Sequence, residues 1–340
     1  MTDTTSNPTQ LLELIGAGWA AQAIYVAAEL NIADLLADGP RTSEDLAAAT
    51  STHAPSLRRL LRALTSIGVC DELEDGSFAI TPMGSLLGTG PGSLRSWALW
   101  TGGHLWDAWG RLLESVSTGE SVRKSITGFE GFDRLQIDAE SARVFNEAMA
   151  ELTRLVAEDV AKICDFSNAK QVVDVGGGYG DLLLAILRAN PEVSGIIFDL
   201  PHAMDGAKRA LDSAGLASRC EFRSGSFLED LPPGADAYLL KSVIHDWDDE
   251  NAALILRNCN RAMNGKGRVF LIERLLPARM SDSPAHRSSA RMDLTMLLVH
   301  SGRERTEDEF RRLLAAAGFD LVRIRPTSGA VSVIEARPTE

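Results

Sequence analysis

One junction constrains this chain more than any other feature. The apolar run KQVVDV opens into Gly176-Gly177-Gly178-Tyr179-Gly180, and an apolar helical pattern resumes over residues 181–189. Glycine takes left-handed backbone angles at little cost, so the spacing predicts a tight turn from strand into helix. That turn is the ligand-binding corner of a doubly wound sheet. The second half keeps the same rhythm. SGIIFDL, CEFRSGSF, ADAYLLKSV and GRVFLIERLLP read as further strands, and DDENAALILRNCNRAMNG as a helix ended at Gly265. Thr306 and Glu309 form a capping box that opens a helix over 307–317, stopped by Gly318. FDLVRIRPT and AVSVIEARP close the chain as a hairpin-like pair. Strands alternating with helices predict the α/β class, a Rossmann-like sheet with helices on both faces.

The first half reads differently. Residues 11–38 are rich in Ala and Leu, Thr42-Ser43-Glu44-Asp45 opens a short helix, and SLRRLLRALTSI forms another closed by Gly68. VCDEL and SFAIT flank Glu74-Asp75-Gly76, a hairpin signal. Helix, helix and β-wing make a winged-helix-like pattern. Residues 92–165 return to helix, broken near Gly128 and Gly131. The expected division is a winged-helix-like domain over 1–100, a helical connector and lid over 101–165, and a catalytic sheet domain over 166–340. No low-complexity linker separates them, so the junction near 165 reads as tight.

Charge and cysteine usage narrow the partners. Lys plus Arg total 34 against 47 Asp plus Glu, a formal net charge of -13. Such a chain is a poor general ligand for nucleic acid or an anionic membrane. Arg58, Arg59 and Arg62 stand where a DNA-reading helix would lie, but Asp71, Glu72, Glu74 and Asp75 on the wing would repel phosphates. Cys70, Cys164, Cys220 and Cys259 are far apart and form no metal spacing; they read as core thiols of a reducing, cytoplasmic compartment. The N-terminal MTDTTSNPTQ lacks the pattern of a signal peptide, and no apolar run approaches the length of a membrane span.

Asp174 sits two residues before the first glycine, at the expected loop mouth. A carboxylate there would repel a pyrophosphate and attract an amine. A ligand with an amino-acid tail and no phosphate fits better, and S-adenosylmethionine is one. Asp199 ends the second strand, where an acid can take ribose hydroxyls. After the fourth strand comes LLKSVIHDWDDE, which directs His245 to the crevice at the strand ends. Imidazole is the usual general base near neutral pH. Glu273 in IERLLP and Glu304 in GRERT could orient it and hold its charge after proton uptake. His53, His104, His202 and His286 read as ordinary structural histidines.

DVGGGYG, FDLPH, LLKSVIHDWDDE, ERLLP and GRERTEDEF, in this order, resemble the plant-type small-molecule O-methyltransferases and their bacterial natural-product branch. The resemblance spans nearly the whole chain. It implies a homodimer intertwined through the front half, S-adenosylmethionine as cofactor, no metal, and His245 as the base flanked by Glu273 and Glu304. It implies a cofactor site lined by Asp174, Gly176, Gly178, Asp199, Leu200, Ser226, Phe227, Lys241 and Trp247, closed by Met149 and Thr153 of FNEAMAELT. One departure stands out. Where the family has Gly-Asp-aromatic or Gly-Asp-Met, this chain has Gly225-Ser226-Phe227, so the adenine amino group loses a charged acceptor.

The acceptor is expected between the domains, against Trp97, Trp100, Trp106, Trp109, Met292, Met296, His300 and Asp246. Four of the six tryptophans fall within thirteen residues of an aromatic-poor chain. Aromatic and Met side chains suit a flat aromatic acceptor, phenolic, polyketide or phenazine-like. The same residues could equally be helix packing or dimer interface. Rival readings are N-methylation of a heteroaromatic ring, diverted hydroxylase or decarboxylase chemistry on the same fold, and a winged-helix regulator.

Overall fold

Alternation along the apolar strands decides how the second half packs. The computed structural model describes residues 7–339 and contains two units, Met1–Trp106 and Asp107–Glu340. In the first unit, helices Pro8–Gly16, Gly18–Glu29, Ile32–Leu35, Ser43–Thr50 and Ala54–Ser66 precede β1 (Cys70–Glu72) and β2 (Phe78–Ile80), an antiparallel pair. The Thr42 hydroxyl accepts the Asp45 amide at 3.1 Å and caps its helix as the sequence predicts. At the wing tip, Asp75 accepts both the amide and the hydroxyl of Ser77. Leu46, Leu57, Leu61, Leu64 and Phe78 form the buried centre. Arg58 and Arg62 both reach Glu72, at 3.1 and 3.2 Å. The wing's own acid thus pairs with two of the three arginines, which weighs against the regulator reading.

One expectation is corrected here. Pro8–Glu29 is long and apolar enough, by length and composition, to match a membrane-crossing helix, with a mean hydropathy of 1.4. Leu11, Leu12, Leu14, Ile15 and Trp19 lie exposed along it. Glu13 and Glu29 hide this run in the sequence, because the uncharged stretch between them is shorter than a span.

The second unit carries β3 (Gln171–Val175), β4 (Ser194–Asp199), β5 (Cys220–Ser224), β6 (Ala237–Lys241), β7 (Arg268–Glu273), β8 (Leu275–Leu276), β9 (Arg305–Thr306), β10 (Phe319–Pro326) and β11 (Ser332–Pro338). Seven of these form one sheet in the order β10-β11-β7-β6-β3-β4-β5. The five from β7 to β5 are parallel, and the terminal hairpin adds β11 antiparallel to β7. The result is a mixed Rossmann-like sheet. Val173, Val175, Tyr238 and Leu240 pack on one face with helices Asp249–Met263 and Glu307–Ala316. Val172, Leu239, Phe270 and Ile272 pack on the other with helices Ala157–Ile163 and Asp181–Ala189. This is the period-two side-chain rule of a strand buried on both faces. All four cysteines are buried and free. The short pair β8–β9 brings the GRERT segment beside the end of β7, and that contact positions the site.

Phe270 is fully buried at the sheet centre and packs 5.4 Å from Phe166, ring to ring. Phe270→Ala is expected to destabilise the fold by about 3–5 kcal/mol. An unchanged midpoint in urea denaturation would contradict this packing.

Candidate active site

The loop after β3 is built from glycines that nothing else could replace cheaply. Gly176, Gly178 and Gly180 have φ of +69°, +56° and +84°, where a side chain is strained. The Gly176 amide donates to the Phe198 carbonyl at 2.8 Å. The Gly178 and Leu200 amides donate to the two oxygens of Asp199, at 2.7 and 2.6 Å. Asp199 therefore ties the loop to the end of β4 before any ligand arrives, and each oxygen keeps a lone-pair site for one. Burial raises the Asp199 pKa, and the two amides oppose that rise.

Asp174 is placed differently from the expectation. It is only 2% exposed and lies against Gly177, where an added Cβ would meet its Cγ at 2.9 Å. It supports the loop from within rather than standing at an open mouth. Burial, then repulsion from Asp199, pushes its pKa up to about 7, partly opposed by Lys241. Asp174 Oδ2 and the Trp247 indole Nε1 are buried with no hydrogen-bond partner among the described residues. Orphaned polar atoms beside a glycine cradle fit a ligand that carries both a cationic and a hydrogen-bonding end.

The remaining cofactor candidates gather on the same sheet edge. Lys241 donates to the Ser242 hydroxyl at 3.2 Å, and burial pulls its pKa down. Phe227 meets Trp247 edge to face at 5.8 Å. The Ser226 hydroxyl accepts the Leu228 amide at 3.3 Å. Thr153 donates its hydroxyl to the Met149 carbonyl, 2.7 Å away within helix Ala139–Arg154, so it has already used its proton. Asn146 on that helix pairs with His202 at 3.0 Å, joining the helix to the turn after β4. Asn146 stands in the same FNEAMAELT segment as Met149 and Thr153, and nothing in the sequence marks it out from them.

The candidate reacting corner lies beyond β6. Ser242 turns the chain at φ +53°, and a 3-10 turn over Ile244–Asp246 carries His245. His245 Nδ1 is 3.0 Å from Glu304 Oε1 and 4.0 Å from Glu273 Oε2. Its Nε2 is 3.7 Å from Asp246 Oδ1, which is also 3.7 Å from His300 Nε2. Glu273 Oε1 accepts the Val243 and Ile244 amides at 3.1 and 2.8 Å. Glu273 therefore touches the backbone of the turn as well as flanking the ring. The Glu304 amide donates to Asp293 at 2.9 Å, and Arg274 Nε stands 3.9 Å from Glu304. Phe132 stacks on His300 at 4.6 Å. Phe132 and Asp293 carry no motif, and only the fold shows them; Arg274 follows Glu273 within ERLLP.

The electrostatics follow from burial. Burial by itself disfavours the imidazolium, but Glu273, Asp246 and Glu304 outweigh it and lift the His245 pKa to about 10. Burial pushes Asp246 up to about 7, against the pull of His245. His300 goes well below its ordinary value, by burial and by repulsion from Arg123 and His245, and is neutral. His245, Glu273 and Glu304 offer donor atoms within 4.8 Å of one another, a spacing a cation could share. The ring and the two amides already use one oxygen of each carboxylate.

The acceptor candidates are divided by the fold. Met296 is buried on helix Pro284–Val299 with Met292 half-buried one turn earlier, and His300 follows its end. Trp97, Trp100 and Trp106 belong to the first unit. Trp100 stacks on His104 at 4.7 Å in a π-helical turn, Trp100–His104, and Trp106 is exposed. Trp109 falls in the second unit.

Comparison with known proteins agrees with this arrangement. The family described as O-methyltransferase domain matches residues 109–320, and the O-methyltransferase dimerisation domain matches residues 12–90. A phenazine O-methyltransferase from Lysobacter antibioticus is 45% identical over 96% of this chain and 95% of its own length. The structure of the mitomycin 7-O-methyltransferase MmcR superposes with a TM-score of 0.90 at 37% identity, covering 97% of each chain. An O-methyltransferase from neocarzinostatin biosynthesis, solved with S-adenosylmethionine and 2-hydroxy-5-methyl naphthoic acid, has a TM-score of 0.81 at 33% identity, covering 94% of this chain and 96% of its own.

Because Asp199 holds the Gly178 amide of the loop and the Leu200 amide beside it, Asp199→Ala is expected to weaken S-adenosylhomocysteine binding by about 10–100-fold, the value of lost charged hydrogen bonds. Calorimetry showing wild-type affinity in that variant would refute the assignment.

Proposed function

The chain belongs to the bacterial natural-product O-methyltransferases that use S-adenosylmethionine and join a dimerisation domain to an O-methyltransferase domain, and on that premise we propose that it methylates a hydroxyl of a small flat aromatic compound with His245 as general base. The observation that carries this reading is the hydrogen bond from His245 Nδ1 to Glu304 at 3.0 Å. It fixes the ring and leaves Nε2 at the other end, beside Asp246 and His300.

S-adenosylmethionine supplies an electrophilic methyl group. Asp174, Gly176, Gly178, Asp199, Leu200, Ser226, Phe227, Lys241 and Trp247 hold it, with Met149 and Thr153 alongside. His245 Nε2 takes the proton of the acceptor hydroxyl, and the charge it gains is held by Glu304 and Glu273. A phenol with a pKa near 10 is then matched to a base of about 10, so the transfer is close to even in free energy. Holding the nucleophile aligned contributes the rest of the rate. Met292, Met296, His300 and Asp246 would line the acceptor site. The named acceptors of relatives, a phenazine, a mitomycin and a naphthoic acid, support a flat aromatic ring system. The exposed apolar face of Pro8–Glu29 would be covered by a second copy of the chain, as the match to a dimerisation domain supports.

A screen of phenolic and hydroxylated heteroaromatic acceptors with isotopically labelled cofactor would name the acceptor. His245→Ala should lower turnover by about 10²–10⁴-fold with little change in cofactor affinity; wild-type turnover would sink the base. The sign of the pH effect follows from the raised pKa. Only the neutral ring accepts a proton, and its fraction grows tenfold per pH unit until pH reaches the folded value of about 10. The rate constant kcat/KM should therefore climb from neutral pH towards 10, and a plateau beginning near 6.5 would contradict it. Because the carboxylates serve the imidazole, a chelator should leave turnover unchanged, and its loss on chelation would overturn the metal-free reading.

A further inference from the structure

The segment Gly302–Arg305 wraps the turn that carries His245 on three sides. An added Cβ on Gly302 would meet the His245 carbonyl oxygen at 2.1 Å and the Asp246 carbonyl carbon at 2.5 Å. Gly302 is not among the residues with left-handed angles, so it is the close approach, and not the backbone angle, that requires glycine. Glu304 meets the imidazole itself. Arg305, whose side chain is fully buried, donates to the Ile244 carbonyl at 3.0 Å and the Trp247 carbonyl at 2.8 Å, one on each side of the His245-Asp246 pair. Its guanidinium is anchored in turn by Asp249 Oδ1, at 3.0 and 2.8 Å. A planar fork is the group that can satisfy two carbonyls and a carboxylate from fixed directions; an ammonium cannot.

We propose that Gly302 and Arg305 are positioning residues that mould the 244–247 turn so that His245 meets Glu304. The inference rests on His245 being the base, but it makes a separate claim about what holds that base. The turn leaves β6 through a left-handed Ser242 and holds itself only by two long main-chain bonds, Asp246 amide to Val243 carbonyl at 3.2 Å and Trp247 amide to Ile244 carbonyl at 3.3 Å, so its placement against Glu304 depends on the mould. The packing is mutual: the strand pair β8–β9 delivers Arg305 to the turn, and the absence of a Cβ on Gly302 lets the two backbones touch.

The test uses the full-length protein labelled with nitrogen-15 histidine, where His245→Ala identifies the ring signal. Arg305→Lys keeps the charge and loses the fork. Gly302→Ala keeps every hydrogen-bonding group and decides the matter if Arg305→Lys does not fold. In each folded variant the low-field Nδ1 proton of His245 should weaken or vanish, and the ring titration should fall by at least about one pH unit towards its ordinary value near 6.5. Affinity for S-adenosylhomocysteine should stay within threefold, since all of its holders but Trp247 lie on other segments. Turnover should drop by about 10²-fold, the effect of a misplaced catalytic group. A wild-type Nδ1 signal and titration in either folded variant would overturn the proposal, as would a loss of S-adenosylhomocysteine affinity of tenfold or more. Wild-type turnover in His245→Ala would reject the base assignment instead, and the ring signals would still report on the mould.

Discussion

The hydrogen bond between His245 and Glu304 is made where water scarcely reaches, and the chain around it has to satisfy the charges that result. A lone buried carboxylate is costly, and a lone buried imidazolium equally so. Together they are tolerable, provided the remaining oxygens and the backbone near them are also provided for. Glu273 is stabilised by two main-chain amides of the turn. Glu304 has Asp293 holding its amide and Arg274 nearby. The orphaned second oxygens of both glutamates mark where the compensation is incomplete. Incomplete compensation is what gives the imidazole its strong hold on a proton.

The sheet supplies the rigidity this requires. Its parallel strands all deliver their C-terminal ends to one edge: β3 with the glycine loop, β4 with Asp199, β6 with Lys241 and β7 with Glu273. Main-chain hydrogen bonds fix these ends relative to one another. The side chains of separate strands can then converge without each having to find its place independently. Among the described residues, left-handed non-glycine backbone falls at Asn31, Ser51, Ser242, Asn264 and Ser301, outside the strands. Ser242 and Ser301 flank segments of the His245 corner, consistent with the tendency of strained backbone to gather at functional sites.

Much of this was legible from the residues. The glycine turn, the alternating strands and the capping box at Thr306 state local rules, and the structure obeys them. The Asp75-Gly76 hairpin and the termination at Gly265 are of the same kind, because each depends only on neighbours in the chain. What escaped were features with no local signature. The run Pro8–Glu29 hides behind two glutamates. Asp174 looked like a loop-mouth anion, because a one-dimensional pattern does not distinguish a strand end that opens to solvent from one sealed by the next glycine. Phe132 just before helix Asp133–Ile137, Asn146 in helix Ala139–Arg154 and Asp293 in helix Pro284–Val299 meet the site only through the fold.

The sequence by itself determined that a strand must turn through glycines into a helix at residue 176, that an acid must end the next strand, and that a histidine must follow the fourth. These are statements about backbone freedom and strand periodicity, which neighbouring residues control. Only the tertiary structure decided which oxygen of which glutamate meets the imidazole, that Asp199 is tied to the loop by the Gly178 amide, and that Arg305 lies against the turn that carries His245. Those pairings join residues about twenty to sixty positions apart. Their energy depends on burial and on distances of a few tenths of an ångström, quantities that arise only when the whole sheet edge is assembled.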